Sequence, residues 1–99
     1  MNKIIIMEKE PYLVSDEEIQ IGDVAIVTVG NQYPSKVVCE NETVLSLIKD
    51  PKLSLTKSYK LVGEPDKVKL PEARINTIIE NGGICDVIID GAELKFTTV

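Results

Sequence analysis

Residues 17–40, EEIQIGDVAIVTVGNQYPSKVVCE, set a Gly22-Asp23 turn, an unbroken apolar run, a polar tip and a second β-branched run one after another. Two such runs separated by Gly30, Asn31 and Pro34 fold back on each other, because Gly and Asn tolerate positive φ and Pro holds a turn conformation. The first run, 24–29, is apolar on both faces apart from Thr28. It reads as a central strand covered on both sides or curled into a barrel, paired with a strand at 36–40. A small antiparallel β-domain is the frame that this stretch dictates.

The rest of the chain fits one domain over residues 1–99. A chain of 99 residues buries roughly 60 to 65% of the surface its unfolded form exposes, so one core suffices without staples. Hydrophobic residues make up 43% and charged residues 27%, the balance of an ordinary globular chain. Phe96 and three tyrosines are the only aromatic residues. The core must therefore be Ile, Val and Leu, and the β-branched members of that set favour strands.

The net charge of −5 is unevenly placed. Residues 1–35 hold two lysines against six acids, 36–69 hold seven lysines against five acids, and 70–99 hold Arg74 and Lys95 against five acids. An acidic chain repels phosphate backbones unless its cations share a face, and Lys49, Lys52, Lys57 and Lys60 are the candidates for one. They lack an aromatic RNA-binding motif beside them, so they read as a solvated face and no nucleic-acid partner is expected. The apolar run at 4–7 is shorter than a signal-peptide core and is followed by Glu8, Lys9 and Glu10. No run approaches the ~20 apolar residues of a membrane span. A cytoplasmic location is expected, the host cytoplasm or the virion for a phage-encoded chain. Cys39 and Cys85 keep step with inward-facing neighbours and read as two buried thiols without a disulfide. Asn41-Glu42-Thr43 matches a glycosylation sequon by chance.

Along the chain, 3–7 suits a first strand that ends at Glu8 to Pro11, since Pro11 cannot donate to a ladder. Residues 12–14 suit a short extended segment. Ser15-Asp16-Glu17-Glu18 has the form of a helix N-cap with a capping box, cut to a single turn by Gly22-Asp23. Residues 43–49 fit a short helix and a short strand equally. Asp50-Pro51 marks a turn, and 58–63 (SYKLVG) alternates as a strand. A helix is predicted over 71–81: Pro71 suits its first position, Glu72 its dipole, and Ile75, Ile78 and Ile79 one apolar face, with Asn81-Gly82-Gly83 as the stop. Residues 84–89 alternate, with Cys85, Val87 and Ile89 on one face, and a tight Asp90-Gly91 turn leads to a final strand at 94–98. The fold class is α+β, mainly β. Either an antiparallel sheet of five or six strands with one helix near 71–81, or an SH3-like barrel capped by that helix, satisfies the pattern, and the first strand is free to pair at either edge.

Residues 12–19 (Tyr-Leu-Val-Ser-Asp-Glu-Glu-Ile), Gly22-Asp23, Tyr59-Lys60-Leu61-Val62, Leu70-Pro71 and Asp86-Val87-Ile88-Ile89 together resemble a group of small uncharacterised proteins of Bacteroidetes bacteria and their phages. The order spans most of the chain and departs from that group at Gly63-Glu64-Pro65-Asp66. The resemblance implies a bacterial or phage origin and hands over no catalytic residue. Residues 19–24 (Ile-Gln-Ile-Gly-Asp-Val) also resemble the opening turn of many SH3-like barrels, which supports a fold and leaves function open.

No residue set here suits catalysis. The chain has no histidine, so a charge-transferring group must be a carboxylate pair, a thiolate, a lysine or a tyrosine. Asp86 and Asp90 lie four apart on a strand, ~13 Å from each other, too far for one metal or a glycosidase pair. Cys85 lacks an imidazole and sits among apolar residues that make a thiol inert. The chain is therefore read as a non-enzyme without catalytic residues, cofactor or metal. The expected role is a protein-interaction or ligand-binding module with a protein partner. Its surface is expected at the hairpin tip Asn31, Gln32, Tyr33, Pro34 and Ser35 and the neighbouring sheet edge, because Tyr33 beside a rigid proline offers an amphipathic contact. The alternative is a subunit of an oligomeric or virion assembly joined through edge strands at 3–7 or 94–98, a homo-oligomer being allowed.

Overall fold

The computed structural model describes residues 1–30, 32–50, 52 and 56–97. Its elements run β1 (Asn2–Met7), β2 (Glu10–Ser15), β3 (Val24–Val29), β4 (Ser35–Val38), α1 (Glu42–Ile48), β5 (Thr56–Gly63), α2 (Glu72–Glu80), β6 (Ile84–Asp90) and β7 (Glu93–Phe96). Among the described residues, seven antiparallel strands and two short helices make the fold α+β and mainly β, with more strands than the five or six expected and a helix more. Contacts group residues 1–15 and 62–99 into a first unit and residues 16–61 into a second.

In the first unit the strand order is β2-β1-β6-β7. It is open, and β7 is its edge, so the sheet rather than the barrel is the architecture found. The first strand is not at an edge: β1 pairs β2 on one side, Ile4 opposite Leu13, and β6 on the other, Ile4 opposite Cys85. Pro11 does not end a strand either; it sits inside β2 opposite Ile6. The Ile6 amide donates to the Gly83 carbonyl at 2.9 Å, on the side of β1 away from β2, so the Ile6–Pro11 pair is a position where the ladder needs no proline N–H. The β1–β2 turn is Glu8-Lys9 with φ of 50° and 63°, the positive-φ pair of a two-residue hairpin made without Gly or Asn.

Helix α2 packs the wholly buried Ile78 onto Ile4, Leu13, Val68, Cys85 and Val87. Ile75 is half-buried beside it, but Ile79 does not share the buried face and is 41% exposed. Pro71 stands at the N-cap, one place before its expected position, with no side-chain cap. The stop is as expected. Gly82 N–H donates to Ile79 and Gly83 N–H to Ile78, at 3.2 and 2.9 Å, a Schellman pair that Gly82 permits with φ of 103°. The tight β6–β7 hairpin also forms, Asp90 opposite Glu93 across Gly91 and Ala92. Gly63 lies where a Cβ would meet Val68 at 3.1 Å and Leu13 at 3.3 Å, so a larger residue there would need these neighbours to give by a few tenths of an ångström.

In the second unit β3 lies between β4 and β5, with Ala25 opposite Val37 and Lys60. This is the central strand expected. Residues 15–18 form no helix: Ser15 is buried as the last residue of β2, opposite Asn2, and no helical turn follows it. The following chain turns at Gln20 and Asp23 instead. Gln20 N–H donates to the Asp23 carboxylate at 2.8 Å, and Asp23 N–H to the Gln20 carbonyl at 3.0 Å. Residues 43–49, open to either reading, fall in the helix Glu42–Ile48 and its C-cap Lys49; Asn41 caps the start, its Oδ1 accepting from Val44 N–H at 3.1 Å. The half-buried Leu45 and Ile48 then lie on Ile19, Ala25 and Cys39. Pro51 of the expected turn and Thr98 of the expected last strand lie outside the described residues, and β7 ends at Phe96.

Candidate functional site: the β3–β4 hairpin tip

Register fixes this tip. The last β3–β4 pair is Val27 with Ser35, while Thr28 and Val29 run on, paired only to β5 at Lys57 and Thr56. The loop therefore projects past the end of β4. Gln32 N–H donates to the Val29 carbonyl at 3.1 Å and closes the loop, and Pro34, half-buried, leads into β4. Tyr33 is 94% exposed. It does not pack back on the sheet. Asn31 lies outside the described residues, and Ser35 is not a tip residue: it is the first residue of β4, because Val27 pairs with it. Of the five residues expected at the tip, Gln32, Tyr33 and Pro34 are loop residues of the described structure.

Beside the tip, β4 is hydrogen-bonded to β3 alone among the described strands, so its other backbone edge has no strand neighbour among the described residues. It is four residues long, exposed at Ser35, Lys36 and Val38. Alternation puts Val37 on the face of Ala25 and α1, and Lys36 and Val38 on the other.

The other sequence candidates do not assemble into a site. Lys57 and Lys60 are three apart on β5 and so face opposite sides of the sheet. Lys49 reaches Glu18 at 2.9 Å, and the hydrogen bond from the ammonium, then its charge, hold the Glu18 carboxyl below the usual range. Lys60 lies 3.8 Å from Asp23. Asp86 is paired with Lys3 across β1 and β6, and Asp90 with Lys95 at 2.7 Å, so both acids serve as ion-pair partners on the sheet. Cys39 and Cys85 are buried free thiols, as expected from their phase. Burial pushes the Cys85 thiol up, away from the thiolate a nucleophile needs. Among the described residues no group of three His, Cys, Asp or Glu side chains could hold a metal ion, and no helix is long and apolar enough to cross a membrane.

One feature escaped the sequence reading. In the first unit an open cleft of about 570 Å³ lies between the β6–β7 hairpin and residues 67–70. Its walls are Leu13, Val68, Leu70, Ile89 and Leu94, and Lys67, Lys69 and Glu93 also line it. Only Ile89 carried a signal: an apolar residue in phase with the core and one turn residue from a hairpin.

Compared with known proteins, the chain matches no family model, no curated protein and no solved structure.

Proposed function

We propose that the chain is a small protein-interaction module that engages a protein partner through the β3–β4 tip and the open edge of β4. The resemblance over residues 12–19, 22–23, 59–62, 70–71 and 86–89 adds a bacterial or phage origin to this reading. The observation that carries it is Tyr33, 94% exposed at the end of a loop anchored by Pro34. An aromatic ring left in water contributes nothing to the core. Tyr offers a large apolar ring with a hydroxyl and only two side-chain torsions, which is why it recurs as an interface anchor. The edge of β4 adds backbone donors and acceptors for an extended segment of a partner. Its shortness and Lys36 discourage indiscriminate pairing, leaving selection to the tip. A non-catalytic role accords with the absence of histidine and with two buried thiols that no base activates.

The test is a comparison of the intact chain with Tyr33→Ala in pull-downs from the native host. Tyr33→Ala is expected to leave the melting temperature within about 4 °C of the original, because an exposed side chain contributes within about ±0.5 kcal/mol. Capture of a partner identified with the unaltered chain should fall at least tenfold. Equal capture by both chains would remove the tip from the interface.

A second reading, a subunit of an assembly, is favoured by β7, another strand with one neighbour and an open edge. Strand β1 cannot serve that role, since both its edges are paired. Two different open edges on one chain allow head-to-tail joining. Elution of the purified chain well above its 10.9 kDa would favour this reading over the first.

A further inference from the structure

The inner face of the first unit is covered unevenly. Along β6 and β7 the pairs Val87–Phe96 and Ile89–Leu94 lie on the same face, two residues apart. Val87 is buried in the core that holds Ile78, and Arg74 of α2 stacks over the Phe96 ring at 4.4 Å. The next pair has no such cover: Ile89 is 42% exposed although its phase is that of Cys85 and Val87. There the cleft opens, lined by apolar side chains together with polar groups, and continuous with the core through Leu13 and Val68. At its margin stand Lys67 and Lys69, and among the described residues neither ammonium group reaches a carboxylate. Glu93 is the single acid lining it. In a chain of net charge −5 this is a local excess of positive charge around an apolar hollow.

We infer that this cleft binds a small amphipathic carboxylate, an acyl chain whose apolar tail completes the Ile89–Leu94 surface and whose carboxylate meets Lys67 and Lys69. The volume falls in the ~300–1,000 Å³ range of small-molecule sites. The tail gains from leaving water in proportion to its length, and the two ammonium groups favour a head that is ionised at neutral pH. A neutral head gains nothing from them. This site is independent of Tyr33 and the second unit, so it stands or falls separately from the interaction reading.

The test is titration of the full chain with octanoate, decanoate and decanol, each below its aggregation concentration, followed by methyl NMR. Ile89, Leu94 and Leu70 methyls should shift together and saturably with decanoate. Two methylenes separate octanoate from decanoate, and each fully buried methylene is worth about fourfold in affinity, so a gain of about fourfold to tenfold is expected in an open cleft. Lys67→Glu with Lys69→Glu should weaken decanoate at least fivefold and leave decanol unchanged. Both substitutions lie on exposed side chains, and an unaltered amide spectrum elsewhere will establish that the fold is intact. Shifts scattered over Tyr33, Val38 and other exposed apolar residues, no saturation, or decanol bound as tightly as decanoate would each overturn the inference.

Discussion

Helices α1 and α2 are held in opposite ways. α2 has no side-chain cap at Pro71 but buries Ile78 completely and ends in a Schellman pair at Gly82 and Gly83. α1 has the Asn41 cap but no fully buried residue, resting on its unit through half-buried Leu45 and Ile48. The apolar clusters under the two helices differ in the same sense. Under α2 lie Ile4, Leu13, Val68, Cys85 and Val87, and under α1 Ile19, Ala25 and Cys39. Burial of large apolar side chains outweighs a cap, ~1.5 to 3 kcal/mol each against ~1. The second unit, which carries the Tyr33 tip, is thus the one whose helix depends on local interactions, and binding surfaces are commonly drawn from the less stable parts of a fold.

The largest effect that tests this contrast is cavity formation. Ile78→Ala is expected to cost about 2 to 5 kcal/mol, since the side chain is fully enclosed. Leu45→Ala, at a half-buried position, should cost less than about 2 kcal/mol because much of its surface is already in water. Urea midpoints at unchanged m-value measure both. Equal losses would show α1 to be anchored as firmly as α2.

The thiols sharpen the same contrast kinetically. Both are buried, so a thiol reagent should label neither promptly in the native chain and both after denaturation without reductant. Cys39, under the less anchored helix, should label several-fold faster than Cys85 through local opening. Alkaline pH probes Cys85. Because burial raises the Cys85 pKa, the folded chain keeps that proton to higher pH than the unfolded chain does. The contribution is therefore fully present below the ordinary thiol value of about 8.5 and is lost as pH rises from there through the raised value. Cys85→Ala should flatten that part of the alkaline loss. An unchanged profile in the variant would assign the loss to other groups.

Regions whose periodicity matched their surroundings were legible in the sequence. The run at 24–29 is the centre of its unit, 72–80 is helical with the Asn81-Gly82-Gly83 stop, and Asp90-Gly91 turns a hairpin. The β1–β2 hairpin was hidden because its turn is Glu8-Lys9, residues without turn preference that the flanking pairing holds at positive φ. Ser15 was misread because capping chemistry is local, whereas its place opposite Asn2 comes from a strand paired across that hairpin. Ile79 and Ile89 show the same blindness in packing: each has the apolar spacing of a core residue, yet each lies more than two-fifths exposed. Exposure there depends on where α2 ends and on what lies over β6. The tip was legible only as a loop; that Tyr33 points to solvent follows from β4 stopping short of Val29.

The smallest expected effect bears most directly on how α1 is held. Asn41 Oδ1 accepts from Val44 N–H, one of the four amides that a helix start leaves without an internal partner. Asn41→Ala leaves that amide to water and should cost about 0.5 to 1 kcal/mol, while Asn41→Ser, which offers an acceptor at the same place, should restore most of it. Because α1 has no buried residue to compensate, the loss should appear locally: amide exchange at residues 43–45 should quicken several-fold, while Ile78 and Gly83 in the first unit keep their protection. Uniform quickening across both units would mean that α1 opens only with the whole chain, and the contrast between a packed helix and a capped one would then hold for structure but not for stability.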